Sequence, residues 1–273
     1  MPNSLRMARF TRFREMLAPI KRPVEPIFQA NARSAGWWAG FAHKLLLWWQ
    51  WGVPPPPEHF DHHIDLHYYW KATRESLWVE RGVFSSLCLD GGDVLELCCG
   101  DGFHARNFYS LRSRRIVACD FDPRAIATAK SKNAAPNVEF LVSDIRNAMP
   151  AGTFGTVIWD AAIEHFTLDE IAGILPSIRD RLKPRGIMSC YTIVETGTGL
   201  SLPHHEYEFK SKEDLARVLV PHFTNVRVFE TISPMRHNLY AWASDGPLPF
   251  GDDWPHQFVP VKSSDPRVSA LSV

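Results

Sequence analysis

The chain has 273 residues, 45% of them hydrophobic, which is enough to bury a full core in one larger domain with extensions. Thirty Lys and Arg balance thirty Asp and Glu, so the overall positive field of a nucleic-acid binder is missing. The five cysteines are odd in number and form no CxxC. That pattern fits reduced, mostly buried thiols in a cytoplasmic protein better than a disulfide framework. No run of about 18 uncharged apolar residues predicts a spanning helix, and the segment after Met1 lacks the apolar core of a secretory signal.

Three zones are expected, at 1–57, 58–244 and 245–273. The first is a helical extension of its own character. Within 1–35, seven basic residues face only Glu15 and Glu25. The run GWWAGFAHKLLLWWQW follows, and the prolines at 54–57 stop any helix. On a helical wheel Trp37, Trp38, Phe41, Leu45, Trp48 and Trp49 share one half, with His43 and Gln50 opposite. A basic arm before a Trp-rich helix has the composition of a segment lying in a membrane interface, which would make the protein peripherally membrane-associated through 1–51. Packing of the same aromatics on the core, or on a second copy in a homodimer, is the alternative.

From residue 60 onward strands and helices alternate. A helix is expected over 67–87, with Tyr68, Tyr69 and Trp70 facing a pocket or the sheet. Strands are expected at 93–99, 115–120, 138–144, 156–160 and 186–194. Helical segments lie between them at 103–112, 122–132 and 168–182. A helix at 212–220 precedes a hairpin of 225–231 and 238–244. Continuous apolar strands alternating with helices predict a mostly parallel sheet covered on both faces, with ligands at the carboxyl ends of its strands. Residues 245–273, rich in Pro, Ser and Asp, read as a tail.

The first strand, VLELCCGDG, carries a carboxylate and ends in Gly-x-Gly. Gly100-Asp-Gly102-Phe-His-Ala105 fits GxGxxA, so a dinucleotide loop is the first rival. Glu96 argues against it. A carboxylate four residues before the first glycine would be buried and unpaired unless it faced a polar pocket at the strand's end. Cys98 and Cys99 read as packed thiols, and DHHIDLH at 61–67 as a solvated or capping segment, so no metal site is expected.

These residues resemble the class I S-adenosylmethionine-dependent methyltransferases. The family's acidic residue and Gly-x-Gly-x-Gly run match Glu96-Leu-Cys98-Cys-Gly100-Asp-Gly102, with Cys98 in the first glycine position. The resemblance covers about 85–243. It implies a Rossmann-like, seven-stranded, mostly parallel sheet with an antiparallel C-terminal hairpin, and S-adenosylmethionine as cofactor. It assigns Asp120 to the ribose hydroxyls with Phe121 beside it, Asp144 to the adenine amino group and Ile145 to the ring face. FGTVIWDAAIEHF resembles the fourth-strand motif, which brings in Trp159, and RLKPRGIM resembles the run entering the fifth strand. Gly155 stands where an acidic residue is usual, a structural loss by this reading. From the residues alone, Asp120 could instead cap the helix at Pro123, and Asp144 could be a turn residue.

The expected reaction is methyl transfer to a small-molecule acceptor, by O- or N-methylation. A catalytically silent cofactor-binding module acting through its N-terminal extension is the alternative. Methyl transfer from a sulfonium needs an aligned nucleophile and, for some acceptors, a base. The candidates are Asp160 and His165 after the fourth strand, and His204 and His205 after the fifth, with Tyr207 nearby. That second stretch resembles the His…Phe segment of small-molecule methyltransferases. For His165, a role in starting a helix competes.

Overall fold

A computed structural model describes residues 19, 23–45, 76–195, 197, 200–201, 204–232 and 236–249. The chain divides into two compact units, Met1–Tyr68 and Tyr69–Val273.

In the first unit, helix α1 spans 23–45. It begins well before the expected start at 36, and positions 46–51 of the predicted helix lie outside the described residues. Trp37, Trp38, Phe41 and Leu45 are exposed, Trp37 stacks on Phe41, and His43, expected on the polar side, is buried.

The second unit holds α2 (Leu77–Ser86), β1 (Asp93–Leu97), α3 (Phe103–Asn107), β2 (Arg115–Asp120), α4 (Pro123–Lys132) and β3 (Val138–Val142). It continues with β4 (Phe154–Asp160), α5 (Leu168–Arg181), β5 (Leu182–Ile193), α6 (Lys212–Leu219), β6 (Asn225–Ile232) and β7 (His237–Ser244). The part of the expected first helix before residue 76, with Tyr68, Tyr69 and Trp70, lies outside the described residues.

The seven strands lie in the order β3-β2-β1-β4-β5-β7-β6. All neighbours are parallel except β7, which runs antiparallel to both β5 and β6. The expected α/β, Rossmann-like architecture is therefore present. Chain order reverses between β1 and β4, and there the carboxyl ends of two adjacent strands open away from each other.

Helix starts follow local chemistry. Asp122 caps α4 by accepting from the Arg124 amide, with Pro123 in the first turn. Asp120 is therefore not that cap, and the helix-capping alternative for it is corrected. Thr167 and Glu170 form a reciprocal capping box on α5. The run after α5 enters the fifth strand as expected, but β5 begins at Leu182 rather than 186, and it joins β4 through an irregularity. Phe154 pairs with Leu182 but Thr156 with Ile187, and Arg185 takes φ 66° in between. A residue forced left-handed inside a strand marks a bulge.

One face of the sheet buries Leu95, Leu97, Val117, Trp159 and Met188 together with residues of α5 and α6. The other buries Val94, Ile116, Ala118 and Ile158 with Tyr109, Ile126 and Ala129. On this second face α2 is fixed by polar contacts. Arg81 forks onto Asp160, with Nη2 to Oδ2 at 2.7 Å and Nε to the same oxygen at 3.0 Å. Ser85 and Ser189 hydroxyls meet at 3.0 Å. His104 Nδ1 lies 3.3 Å from Asp160, while its Nε2 meets the Trp78 carbonyl at 2.8 Å. Burial works against the Arg81 charge, but the Asp160 carboxylate together with the Tyr191 and Tyr109 phenols raises the guanidinium further above its ordinary value.

Breaking this pair leaves a buried carboxylate without its main counter-charge. Arg81→Met is expected to destabilise the fold by about 3–5 kcal/mol in denaturant unfolding. Adding Asp160→Leu should recover most of that loss.

Candidate active site

The carboxyl ends of β1, β2 and β4 converge on the loop 98–102. Cys98, Gly100 and Gly102 have φ of 54°, 53° and 74°, so every second residue is left-handed. Glycine adopts this conformation freely, and Cys98 pays about 1 kcal/mol for it. The substitution noted in the sequence therefore keeps a glycine's backbone geometry.

The two glycines differ in what surrounds them. A Cβ on Gly102 would sit 2.6 Å from the Phe140 ring and 3.1 Å from the Ala129 Cβ, so this glycine lets the loop close against β3 and α4. A Cβ on Gly100 would meet nothing within 4 Å. The position kept clear of neighbouring side chains is Gly100.

Asp120 ties the loop to β2. Its Oδ2 accepts from the Gly100 amide at 3.0 Å and its Oδ1 from the Asp122 amide at 2.9 Å. Burial raises its pKa, with both hydrogen bonds pulling the other way. The next residue, Phe121, is an exposed aromatic at the strand's end.

Glu96 is buried, and among the described residues its Oε2 has no hydrogen-bond partner. Burial, reinforced by the charges of Asp160 and Asp101, pushes it well above the usual carboxylate range. Two amides of the nearby loop are taken up elsewhere, that of Gly100 by Asp120 and that of Gly102 by the Cys99 carbonyl. The thiols of Cys98 and Cys99 are pushed far up by burial and stay protonated.

Asp144 does hold a turn, accepting from the Arg146 amide at 3.1 Å, and it pairs with the Arg146 side chain at 2.8 Å. That side-chain bond lowers its pKa. It remains half-buried at the end of β3, while Ile145 is buried in the main core. Trp159 has no accessible surface and packs on Phe166 with ring centroids 5.4 Å apart. The expectation that it contacts a ligand is corrected, because the alternation of β4 turns it into the core. Gly155 is no simple loss either. The Asp90 carboxylate sits over it, 3.2 Å from where its Cβ would be.

Asp160 lies under Arg81 and is committed to it. The three histidines come together instead. The turn Ile163–His165 presents its Glu164 carbonyl to the amides of Glu206 and Tyr207 at 2.8 and 3.2 Å, and Thr192 Oγ1 donates to the buried Glu164 carboxylate at 3.0 Å. This brings His165 beside His204 and His205, with ring centroids 5.0 and 4.9 Å away. Burial, then the charges of His165 and His205, lower the pKa of His204. Tyr207 donates instead to Asp214 at 2.8 Å, and burial with this bond pushes its phenol up to about 12.

Sequence reasoning missed Arg81, His104 and Glu208. Arg81 and Asp160 are 79 residues apart, with no local signal to join them. Glu208 follows His205 by three residues, but only the folded loop directs its carboxylate onto that ring.

Residues 94–186 match the family described as a methyltransferase domain. That stretch runs from β1 to the start of β5, about a third of the chain. Ribosomal protein L11 methyltransferases from two strains of Vibrio cholerae are 25% identical over 111 residues, 41% of this chain and 37% of theirs. The chain thus spans little more than a third of the length of these curated relatives. Among solved structures, a DhpI–SAH complex is similar at 22% identity, covering 67% of this chain and 92% of that one, with a TM-score of 0.52. The N-methyltransferase NodS from Bradyrhizobium japonicum WM9, in complex with S-adenosyl-L-homocysteine, has 17% identity, 64% and 90% coverage, and a TM-score of 0.52. These likenesses share the fold of the methyltransferase domain.

Two measurements check its loop. Gly102→Ala should lower stability by about 1–3 kcal/mol through the Phe140 contact, and Gly100→Ala by only about 1 kcal/mol of backbone strain. For Glu96, the folded pKa lies above the unfolded one, so its contribution to stability is present at low pH and lost as pH rises through the folded value. Glu96→Gln should therefore gain on the wild type as pH rises above the ordinary glutamate range, read as a growing difference in unfolding midpoint.

Proposed function

We propose that the chain binds S-adenosylmethionine at the 98–102 loop and transfers its methyl group to a small-molecule oxygen or nitrogen. The observation that carries this reading is the pairing of an unobstructed Gly100 with an unpartnered buried oxygen on Glu96 at the same strand end. A glycine whose Cβ direction is clear suits close approach of a ligand to backbone. A buried carboxylate oxygen without a donor suits a cationic or donor-rich ligand group. The residues present therefore fit this cofactor.

In this reading the Gly100 region gives backbone approach, and Asp120 and Phe121 receive the ribose and the adenine at the end of β2. Asp144 lies at the adenine edge. Glu96 draws the amino-acid end, and its ionised form gains a partner only when that end is bound. When bound, the cofactor supplies an activated methyl and a neutral thioether leaving group. The histidines at the ends of β4 and β5 serve the acceptor, receiving its proton or holding its nucleophilic atom in line. Asp160, held by Arg81, positions the end of β4.

A small-molecule acceptor is supported by the histidine cluster. A protein acceptor, as the name of the Vibrio relatives says of them, is a result the test would reveal. Exposed Trp37, Trp38 and Phe41 on α1 favour a second site of action for the N-terminal segment, an anionic membrane surface from which an apolar acceptor would be taken.

Titration calorimetry with S-adenosylhomocysteine and with NAD separates the cofactors. Micromolar binding of the first and none of the second is expected. Gly100→Ala and Asp120→Ala should each weaken binding about tenfold or more while leaving the fold intact. Incubation with methyl-labelled cofactor and a fractionated extract should yield a labelled small molecule. Label on protein alone would replace the acceptor class, and cofactor binding without any labelled product would favour the silent module. Flotation with anionic vesicles at low salt should retain the full chain and lose a 1–57 deletion.

A further inference from the structure

His165, His204 and His205 each offer a ring nitrogen, and the three nitrogens lie within 4.8 Å of one another. No disulfide, ladder or helix cap requires three imidazoles there. Two of them have the partners of metal ligands. His165 Nδ1 meets the His204 carbonyl oxygen at 3.1 Å. A carbonyl only accepts, so Nδ1 carries the hydrogen and Nε2 the lone pair. His205 Nδ1 bonds the Glu208 carboxylate in a nearly inaccessible pair. That same Glu208 oxygen accepts from the Ser201 amide at 2.8 Å and the Ser201 hydroxyl at 2.5 Å, so it too is an acceptor and His205 Nδ1 a donor. Carbonyl and carboxylate acceptors behind Nδ1 fix the tautomer that leaves Nε2 with the lone pair a metal would take.

We propose that His165, His204 and His205 form a divalent transition-metal site with Glu208 as the carboxylate that orients His205. Three neutral nitrogen ligands without thiolate suit zinc, and cobalt as its spectroscopic substitute, rather than magnesium or calcium. A tetrahedral ion with metal–nitrogen distances of about 2.0–2.1 Å needs nitrogens about 3.3 Å apart. The remaining closure falls to His204, whose ring is exposed and, among the described residues, makes no hydrogen bond of the kind that holds the other two. Three protein ligands leave a fourth position open, as in zinc sites that act on a substrate. The site lies after β4 and β5, at the same sheet edge as the glycine loop.

Metal binding stands apart from the methyl-transfer reading, and only the use of the open position rests on it. An acceptor hydroxyl held there becomes acidic and loses its proton to water. Its oxygen keeps the electron pair that forms the new carbon–oxygen bond, and the carbon–sulfur pair leaves with sulfur. The imidazoles then hold the ion and do not serve as free bases.

The test uses the full chain stripped with a chelator and dialysed. Cobalt titration followed by visible absorption, and zinc titration by calorimetry, should each give one site per chain, with the ligand-field bands of nitrogen-coordinated cobalt. His204→Ala, at an exposed position, should weaken zinc binding at least about thirtyfold without moving the melting temperature, and Glu208→Gln about 10–100-fold. S-adenosylhomocysteine affinity should stay within about twofold in both variants. No cobalt spectrum from a chain that binds S-adenosylhomocysteine overturns the site and spares the cofactor reading. A normal cobalt spectrum from a chain that binds no S-adenosylhomocysteine does the reverse. Binding that survives His165→Ala with His204→Ala, or that is lost instead with His62→Ala and His63→Ala, also overturns it.

Discussion

The ion pair of Arg81 with Asp160 is the contact on which the second face of the sheet depends. A carboxylate at the end of a central parallel strand must be paired or neutralised, since isolated charge in such a place costs several kcal/mol. Arg81 solves this with a two-nitrogen fork, stacked 4.7 Å over the Tyr191 ring. The pairing fixes α2 across β4 and β5, and His104 joins from α3. The ends of β1 and β4 are thereby held in one geometry, and the loop after β1 is built against them.

That rigidity carries an electrostatic cost at Glu96. With Asp160 and Asp101 close by, its charge finds little relief, and burial holds its pKa high. A site that keeps a carboxyl in this state is less stable than it could be, and the natural compensation is a ligand that supplies the missing donor. The glycine loop has the same character. Gly102 is used for packing against Phe140, while Gly100 leaves its outward side clear. Stability and ligand approach are divided between two residues that look alike in the sequence.

The acceptor end follows another logic. Its histidines come from two loops joined through the Glu164 carbonyl, and each anchored ring has its Nδ1 already committed to an acceptor. Orientation is built in through hydrogen bonds, which is how a small number of polar groups can define a site in a mostly apolar surround.

By itself the sequence determined the strand and helix order, the sheet class and the loop after β1, because these follow from local periodicity and short motifs. Glu96, Cys98, Gly100, Gly102 and Asp120 could be named from one strand and the end of the next. Where periodicity and face were at issue it went less far. Trp159 reads as a pocket residue beside a motif, yet strand alternation in the folded sheet turns it inward. The tertiary structure alone decided that Asp160 belongs to Arg81, that Gly102 serves packing, and that His165 meets histidines 39 and 40 positions away. Those outcomes depend on distances between residues far apart in the chain. Hydrogen bonds and ion pairs act over a few ångströms of space, and sequence spacing carries no measure of that.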